Sequence, residues 1–265
     1  MLKFALIGNG FIGAKHIEAI KAVGGELVAV CDIDENKKVE GVPFFLDYKE
    51  AMKEADCVSI CTPNYLHEEM ILEAARQGKR ILCEKTVSFK LEDFAVLKGI
   101  PNLFGNFQLR YLPELSEMRK AVQETSAAYL KVEMKRSRTY YDTWKGDPEK
   151  TGGLLLNIGC HYFDLVGHLF GYEGFQSFIE ENTELKASGL LVYEKSGVHV
   201  RWSFELTDEK PEYERSLTIG EKKFDLVQKE NLHINTYKDF MWGHGIRSNE
   251  EEKIVKMIYD VKGTR

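Results

Sequence analysis

The sequence predicts an α/β chain: an N-terminal, doubly wound domain on a parallel sheet, then an α+β domain on a mainly antiparallel, open sheet. Three observations predict it. Short runs of continuous apolar residues alternate with helical segments at the start, as in a sheet covered on both faces. A glycine-rich turn joins the first such run to the first helix. After about Leu112 the pattern changes to period-two alternation with hairpin punctuation. The boundary falls near residues 112–118, giving domains of 1–115 and 116–265.

The elements follow in order. Residues 3–8 (KFALIG) read as a strand, and residues 13–23 as a helix with Ile17, Ile20 and Val23 on one face. Strands ELVAVCD, CVSICTP and RILCEK then alternate with helices YKEAMKE and HEEMILEAARQG, the last closed by Gly78 with Lys79 and Arg80 beyond it. In the second domain AAYLKVEMKRSRTYY, ASGLLVYEK, VHVRWSFEL and YERSLTIGEKKFDLV read as strands, with a turn at residues 194–197. A helix, EEEKIVKMIYDVKG, closes the chain, and the acids of the run NEEEK before it suit a helix N-terminus without further partners. The stretch GGLLLNIGCHYFDLVGHLFG, residues 152–171, reads as an apolar helix that carries Asn157 and His161, four apart and so on one face. A lone histidine in an apolar helix is more often a core residue with one satisfied hydrogen bond, and what else reaches that face decides its role.

Composition narrows the partners. The 265 residues are 43% hydrophobic and 29% charged, with net charge −6. An acidic chain is a poor match for nucleic acid or an anionic membrane surface, and no apolar run is long enough to span a bilayer. The chain begins as a strand rather than a cleavable leader, so a cytoplasmic location is expected. The five cysteines (31, 57, 61, 83 and 160) fit neither a disulfide framework nor a zinc spacing and read as buried thiols. No metal is expected. His16, His168, His199, His233 and His244 show no convergent partners, which suggests core or surface roles.

The glycine turn carries the clearest chemistry. Gly8-Asn9-Gly10-Phe11-Ile12-Gly13 is G-x-G-x-x-G directly after a strand and opening a helix. The first glycine makes the turn, the second admits a pyrophosphate to the backbone, and the third lets helix pack on strand. The helix N-terminus adds free N–H groups and its dipole. Asp32 stands at the tip of the second strand, 24 residues after Gly8. A carboxylate there accepts ribose hydroxyls and repels a 2′-phosphate, so the expected cofactor is NAD rather than NADP.

From residue 61 onward the sequence resembles the GFO/IDH/MocA oxidoreductases, named for glucose–fructose oxidoreductase and inositol dehydrogenase. The matching pieces are T-P-x-x-x-H (Thr62, Pro63, His67), E-K-P (here Glu84, Lys85, Thr86) and G-G-x-x-x-D-x-G-x-H (here Gly152, Gly153, Asn157, Gly159, His161). The resemblance implies that Lys85 and His161 face the substrate carbon beside the nicotinamide as the catalytic pair. It also implies that Thr62, Pro63, Asn64, His67 and Glu84 belong with the glycine turn and Asp32 to the cofactor site. One of the pair takes the hydroxyl proton as a sugar carbinol is oxidised and the other steadies the oxygen. Asn157 for Asp, the segment Thr143-Trp144-Lys145-Gly146-Asp147 and the tail NLHINTYKDFMWGHG are similar to the subgroup that oxidises C3 of UDP-N-acetylglucosaminuronate. Arg136, Arg138, Tyr140, Trp144 and Lys145 then offer cations and aromatic rings for phosphates, carboxylate and uracil, with Asn157 and His161 nearer the sugar. The alternatives are a dehydrogenase of another sugar or cyclic polyol, or a catalytically silent NAD-binding sensor. Two departures stand out: Thr86 replaces the proline, and the chain is trimmed around residues 89–105. Leu191, Tyr193, Val198, Val200, Trp202 and Phe204 offer more apolar sheet surface than one set of helices covers, so a homodimer or homotetramer is expected.

Overall fold

The computed structural model describes residues 1–136, 138–210, 212–227 and 230–263, with the side chain of Arg138 outside the described set. The first run of elements is β1 (Lys3–Ile7), α1 (Gly13–Ala22), β2 (Glu26–Cys31), β3 (Phe44–Phe45), α2 (Tyr48–Ala51), β4 (Cys57–Ile60), α3 (His67–Arg76), β5 (Arg80–Glu84), α4 (Phe94–Leu97) and β6 (Leu103–Asn106). Next come α5 (Leu115–Gln123), β7 (Ala127–Lys135), α6 (Arg138–Tyr141), α7 (Pro148–Thr151), α8 (Cys160–Phe170) and strands β8 (Phe175–Asn182), β9 (Lys186–Tyr193), β10 (His199–Thr207), β11 (Arg215–Ile219) and β12 (Lys222–Asp225). The chain ends with α9 (His233–Met241), β13 (Ile246–Arg247) and α10 (Ser248–Lys262).

Two compact units result. The first holds Met1–Gln108 and takes back Glu230–Glu252; the second holds the rest. Sequence patterning placed everything after residue 115 in one domain, and the returned segment is the difference. Its helix α9 is polar in sequence, yet it buries His233, Thr236, Tyr237 and Phe240, spaced as one helical face. That face packs into the core around Phe4, Ile20, Leu82 and Phe104, with Tyr237 5.7 Å from the Phe4 ring.

The first unit is the predicted doubly wound sheet, in the order β3-β2-β1-β4-β5-β6, with β13 added antiparallel at the β6 edge. This order reverses direction beside β1, which leaves a crevice at the carboxyl ends of β1 and β4. Every residue of β4 is buried, as a strand covered on both faces requires. The trimmed stretch is visible as α4, a single turn between β5 and β6. All five cysteines are buried free thiols, and burial pushes the Cys57 thiol up to about 12. Among the described residues no helix is long and apolar enough to cross a membrane.

The second unit is built on a six-stranded sheet in the order β12-β11-β7-β10-β9-β8. All its pairings are antiparallel except β7 with β10. The turn between β9 and β10 closes with Gly197 N–H donating to Tyr193 O at 2.8 Å, as its sequence predicted. The six apolar residues that suggested an uncovered face are all at most 4% exposed. Phe163 of α8 stacks on Trp202 and Phe204 at 5.4 and 5.6 Å, so this chain covers that face itself. Alternation separates the two faces of a strand but does not say which one is covered. The other face carries paired charges, among them Arg201–Glu180 at 2.6 Å and Lys186–Glu205 at 3.0 Å.

Phe163→Ala should therefore cost roughly 3–5 kcal/mol, as expected for truncating a buried aromatic. Denaturant unfolding followed by tryptophan fluorescence measures it. A loss under about 1 kcal/mol would mean that α8 does not cover this sheet.

Candidate active site

The glycine turn fits a dinucleotide. Gly8 has φ +89°, and a Cβ on it would lie 2.9 Å from the carbonyl of Cys61, so only glycine passes here. A Cβ on Gly10 would meet nothing within 4 Å, which leaves the backbone open to a ligand of phosphate size. At Gly13 a Cβ would sit 2.5 Å from Asn9 Oδ1; that side chain is committed to the turn, its amide donating to Lys37 O at 2.7 Å. Helix α1 has no side-chain cap and no acid in its first turn, so its N-terminal field is left for an anion. Asp32 is half-buried and accepts from Asn9 N at 2.7 Å and Asp34 N at 3.0 Å, which fixes its carboxylate against the turn. Phe11 and Ile33, next to Gly10 and Asp32, are 92% and 95% exposed, apolar surface that a bound adenosine would cover.

At the neighbouring strand ends, Thr62, Pro63 and Lys85 are half-buried, whereas His67 is fully buried. The two His67 nitrogens lie beside backbone carbonyls, Nδ1 2.7 Å from Thr86 O and Nε2 2.9 Å from Thr62 O, and a neutral ring donates to one of them. Burial lowers its pKa more than those carbonyls raise it. His67, expected at the cofactor site, is thus enclosed between the Thr62-Pro63 segment and the turn after Lys85. Asn64 is likewise buried at the start of a short 3-10 turn. The Lys85–Thr86 peptide bond is cis.

Glu84 is also buried, at the centre of a polar network that sequence reading missed. His16 Nε2 and His233 Nε2 stand 2.9 and 3.5 Å from Glu84 Oε1, and Asn106 Nδ2 donates to the same oxygen. His16 and His233 thus do converge, contrary to expectation. Burial acts to raise the Glu84 carboxyl, but the two histidines outweigh it and hold it well below the carboxylate range. At 3.5 Å the His233 contact is the longer and weaker of the two histidine contacts to Glu84. His16 is lowered, because burial exceeds its bond to Glu84. A neutral His16 then donates from Nε2 to the Glu84 carboxylate and accepts at Nδ1 from Tyr237, 2.9 Å away, whose hydroxyl also meets Ser59. The ligand atoms of His16, Glu84 and His233 lie within 4.8 Å of one another, as a metal would require. Hydrogen bonds already occupy Glu84 Oε1, and burial on all three residues denies an ion a path, so the cluster reads as a hydrogen-bond network around a carboxylate.

In the second unit, Gly152 and Gly153 at φ +75° and +83° lead into a π turn, Leu155–Gly159, before α8. Such turns favour functional sites. Asn157 is buried in it, and His161, half-buried, opens the α-helix beyond. Asn157 lines a cleft together with Tyr140, Lys145 and Glu184. Lys145 Nζ lies 4.6 Å from the Tyr140 ring centre and 5.8 Å from that of Trp144, with the Arg136 guanidinium 5.0 Å from Tyr140. The cleft gathers three of the predicted substrate residues; Arg136 and Trp144 join through ring contacts, and His161 is not in its lining. The Thr-Trp-Lys-Gly-Asp segment has a local logic too. Thr143 and Asp147 cap successive turns, and a Cβ on Gly146 would fall 2.1 Å from Tyr141 O.

Comparison with known proteins matches the two units separately. A model of the GFO/IDH/MocA oxidoreductase family, NAD-binding Rossmann fold, covers residues 2–100, and that family's C-terminal alpha/beta domain covers residues 125–179. The glucose-6-phosphate 3-dehydrogenase of Bacillus subtilis is 28% identical over 205 residues, 70% of this chain and 57% of its own length. The inositol 2-dehydrogenase of Rhizobium meliloti is 29% identical over 184 residues, 65% of this chain and 56% of its own. The chain thus spans little more than half the length of the curated relatives it matches. Among solved structures, the WlbA (WbpB) dehydrogenase of Thermus thermophilus in complex with NAD and UDP-GlcNAcA is similar at TM-score 0.86 and 28% identity, over 97% of this chain and 93% of that one.

The His16 assignment has a pH signature. An unfolded histidine binds its proton near pH 6.5, while folded His16 does not, so stability rises with pH through that value and falls on acidification. Between pH 7.5 and 5.5 His16 should remove up to about 1.4 kcal/mol per pH unit below 6.5, and His16→Gln should flatten the slope. Urea midpoints across that range are the measurement. An equal slope in both proteins would contradict a neutral His16.

Proposed function

The chain belongs to the GFO/IDH/MocA oxidoreductase family, and on that premise we propose that it is an NAD-dependent dehydrogenase oxidising a secondary hydroxyl of a sugar to a ketone. The observation that carries this reading is the glycine turn, open at Gly10 and closed at Gly8, above an uncapped helix and beside Asp32. Gly8 to Gly13 with α1 would hold the pyrophosphate, Asp32 the adenosine ribose, and Thr62 and Pro63 the approach to the nicotinamide. NAD, when bound, supplies the two-electron acceptor. Lys85 and His161 do the rest of the chemistry. One removes the hydroxyl proton while the other donates a hydrogen bond to the same oxygen, so that the C–H electron pair can leave as the carbonyl forms.

For the substrate we propose C3 of a UDP-linked N-acetyl-hexosaminuronate. The support is the Thr143–Asp147 segment, Asn157, and the similarity over nearly the whole chain to a dehydrogenase solved with UDP-GlcNAcA. Lys145, Arg136 and the rings of Tyr140 and Trp144 suit phosphate, carboxylate and uracil. Glucose 6-phosphate and inositol are the competing substrates, because the relatives that act on them are as similar in sequence. A homodimer or homotetramer remains a proposal, now resting on the other sheet face, where Tyr129 and Phe178 are exposed.

With NAD present, nicotinamide reduction at 340 nm should appear with UDP-N-acetylglucosaminuronate rather than with glucose 6-phosphate or myo-inositol. Lys85→Ala and His161→Ala should each lower kcat by about a hundredfold or more, the scale of a lost acid–base group. Turnover of inositol or glucose 6-phosphate alone would overturn the substrate and keep the reaction. Paired titrations address the cofactor. NAD should bind at least about tenfold tighter than NADP, roughly 1.4 kcal/mol, and Asp32→Ala should erode the difference. Equal affinities in the wild type would mean that Asp32 does not meet the ribose.

A further inference from the structure

We propose that Glu251, at the head of α10, is a positioning residue for Lys85; the inference rests on the reading of Lys85 as a group that acts on substrate. Glu251 is fully buried, where a carboxyl group persists only with committed partners. Its Oε2 accepts the N–H of Val87, two residues after Lys85, at 3.0 Å. The neighbouring strand is shaped around it. A Cβ on Gly105 of β6 would lie 1.8 Å from Glu251 Oε1 and 2.6 Å from its Cδ, so the carboxyl group fills the space that any other residue at 105 would claim. Gly105 pairs in register with Cys83 of β5, one residue before Glu84. The carboxyl group therefore sits against β6 at the level of Cys83, two residues before Lys85, and reaches Val87, two residues after it.

Ordinary helix-end electrostatics do not require this. Glu250 also stands in the first turn of α10 and satisfies the dipole from outside the core. Glu251 adds a specific bond to a backbone donor, made at the cost of a glycine inside a strand. The turn that aims Lys85 is then fixed on both sides by groups from other elements: the Glu84 side chain by His16 and Asn106, Thr86 O by His67, and Val87 N by Glu251. Of these, Glu251 is the tie from the segment that returns to the first unit after the whole second unit has been built.

The test compares Glu251→Ala, which removes the acceptor, with Glu251→Gln, whose amide oxygen can still take the Val87 N–H. The full-length protein is 13C-methylated on its lysines, and the Lys85 signal is identified by its loss in Lys85→Ala. Glu251→Gln should keep the Lys85 chemical shift and line width; Glu251→Ala should move and broaden the signal. With NAD and UDP-N-acetylglucosaminuronate, Glu251→Ala should lower kcat about tenfold and leave the KM for NAD within about twofold. Adding it to Lys85→Ala should slow the enzyme no further. Should Glu251→Ala not fold, Gly105→Ala displaces the same carboxyl group and should shift the Lys85 signal in the same direction. An unmoved Lys85 signal in a folded but less stable Glu251→Ala or Gly105→Ala protein would reduce Glu251 to a structural acid and overturn the proposal. Full activity of Lys85→Ala would instead overturn the role of Lys85, and the signal comparison would still decide whether Glu251 sets its surroundings.

Discussion

A buried carboxylate organises the first unit. Glu84 ends β5 inside the protein, and an isolated charge there would cost several kcal/mol. Its partners come from three other elements: His16 from α1, Asn106 from the end of β6, and His233 from α9. Tyr237 and Ser59 extend the chain of hydrogen bonds to α9 and β4. Removing one partner would leave the others buried and unsatisfied, so the network is held as a whole. It also explains why Glu230–Glu252 returns to the first unit after the second has been completed. Its position bears on the proposed site, because the next residue is Lys85 and His16 lies one helical turn after the glycine loop. One network therefore fixes both the helix that follows the glycine turn and the turn that carries the lysine.

The second unit solves a different problem. Its cleft gathers long charged side chains, which lose entropy when they are ordered. Lys145 is restrained by stacking against Tyr140 and Trp144, on a segment whose turns Thr143 and Asp147 cap. Motif positions that look like a list of ligands are thus partly scaffold. Threonine and aspartate supply caps, glycine permits a close approach to Tyr141, and the lysine and tryptophan are what the scaffold presents.

The glycine turn, the position of Asp32 and the alternation of strands and helices were legible because their logic is local: a spacing, a turn that only glycine allows and runs of apolar residues. His16, His233 and Glu251 were not, because their meaning lies in contacts with residues far along the chain, 68 positions away for His16 and Glu84 and 164 for Glu251 and Val87. Glu251 was hidden further by sitting in an acidic run that a helix end explains equally well. Helix α9 escaped notice because its buried face is made of His, Thr and Tyr as much as Phe. The π turn before α8 shows only as glycines, which serve many turns. His67 and Glu84 were recognised as motif residues, but a motif says that a residue matters and not whether its side chain meets a ligand or holds a loop.

The network around Glu84 depends on His16 being neutral, with its proton on Nε2 toward the ionised carboxylate. Two-dimensional 15N spectra of the histidine rings in the full chain report tautomer and charge directly, with His16 identified by its loss in His16→Gln. The predicted result is a neutral ring at pH 7 with Nε2 protonated and Nδ1 in the range of a hydrogen-bond acceptor, unchanged on acidification to pH 6. Two protonated nitrogens at pH 7, or a proton on Nδ1, would contradict it and remove the network from the centre of the fold.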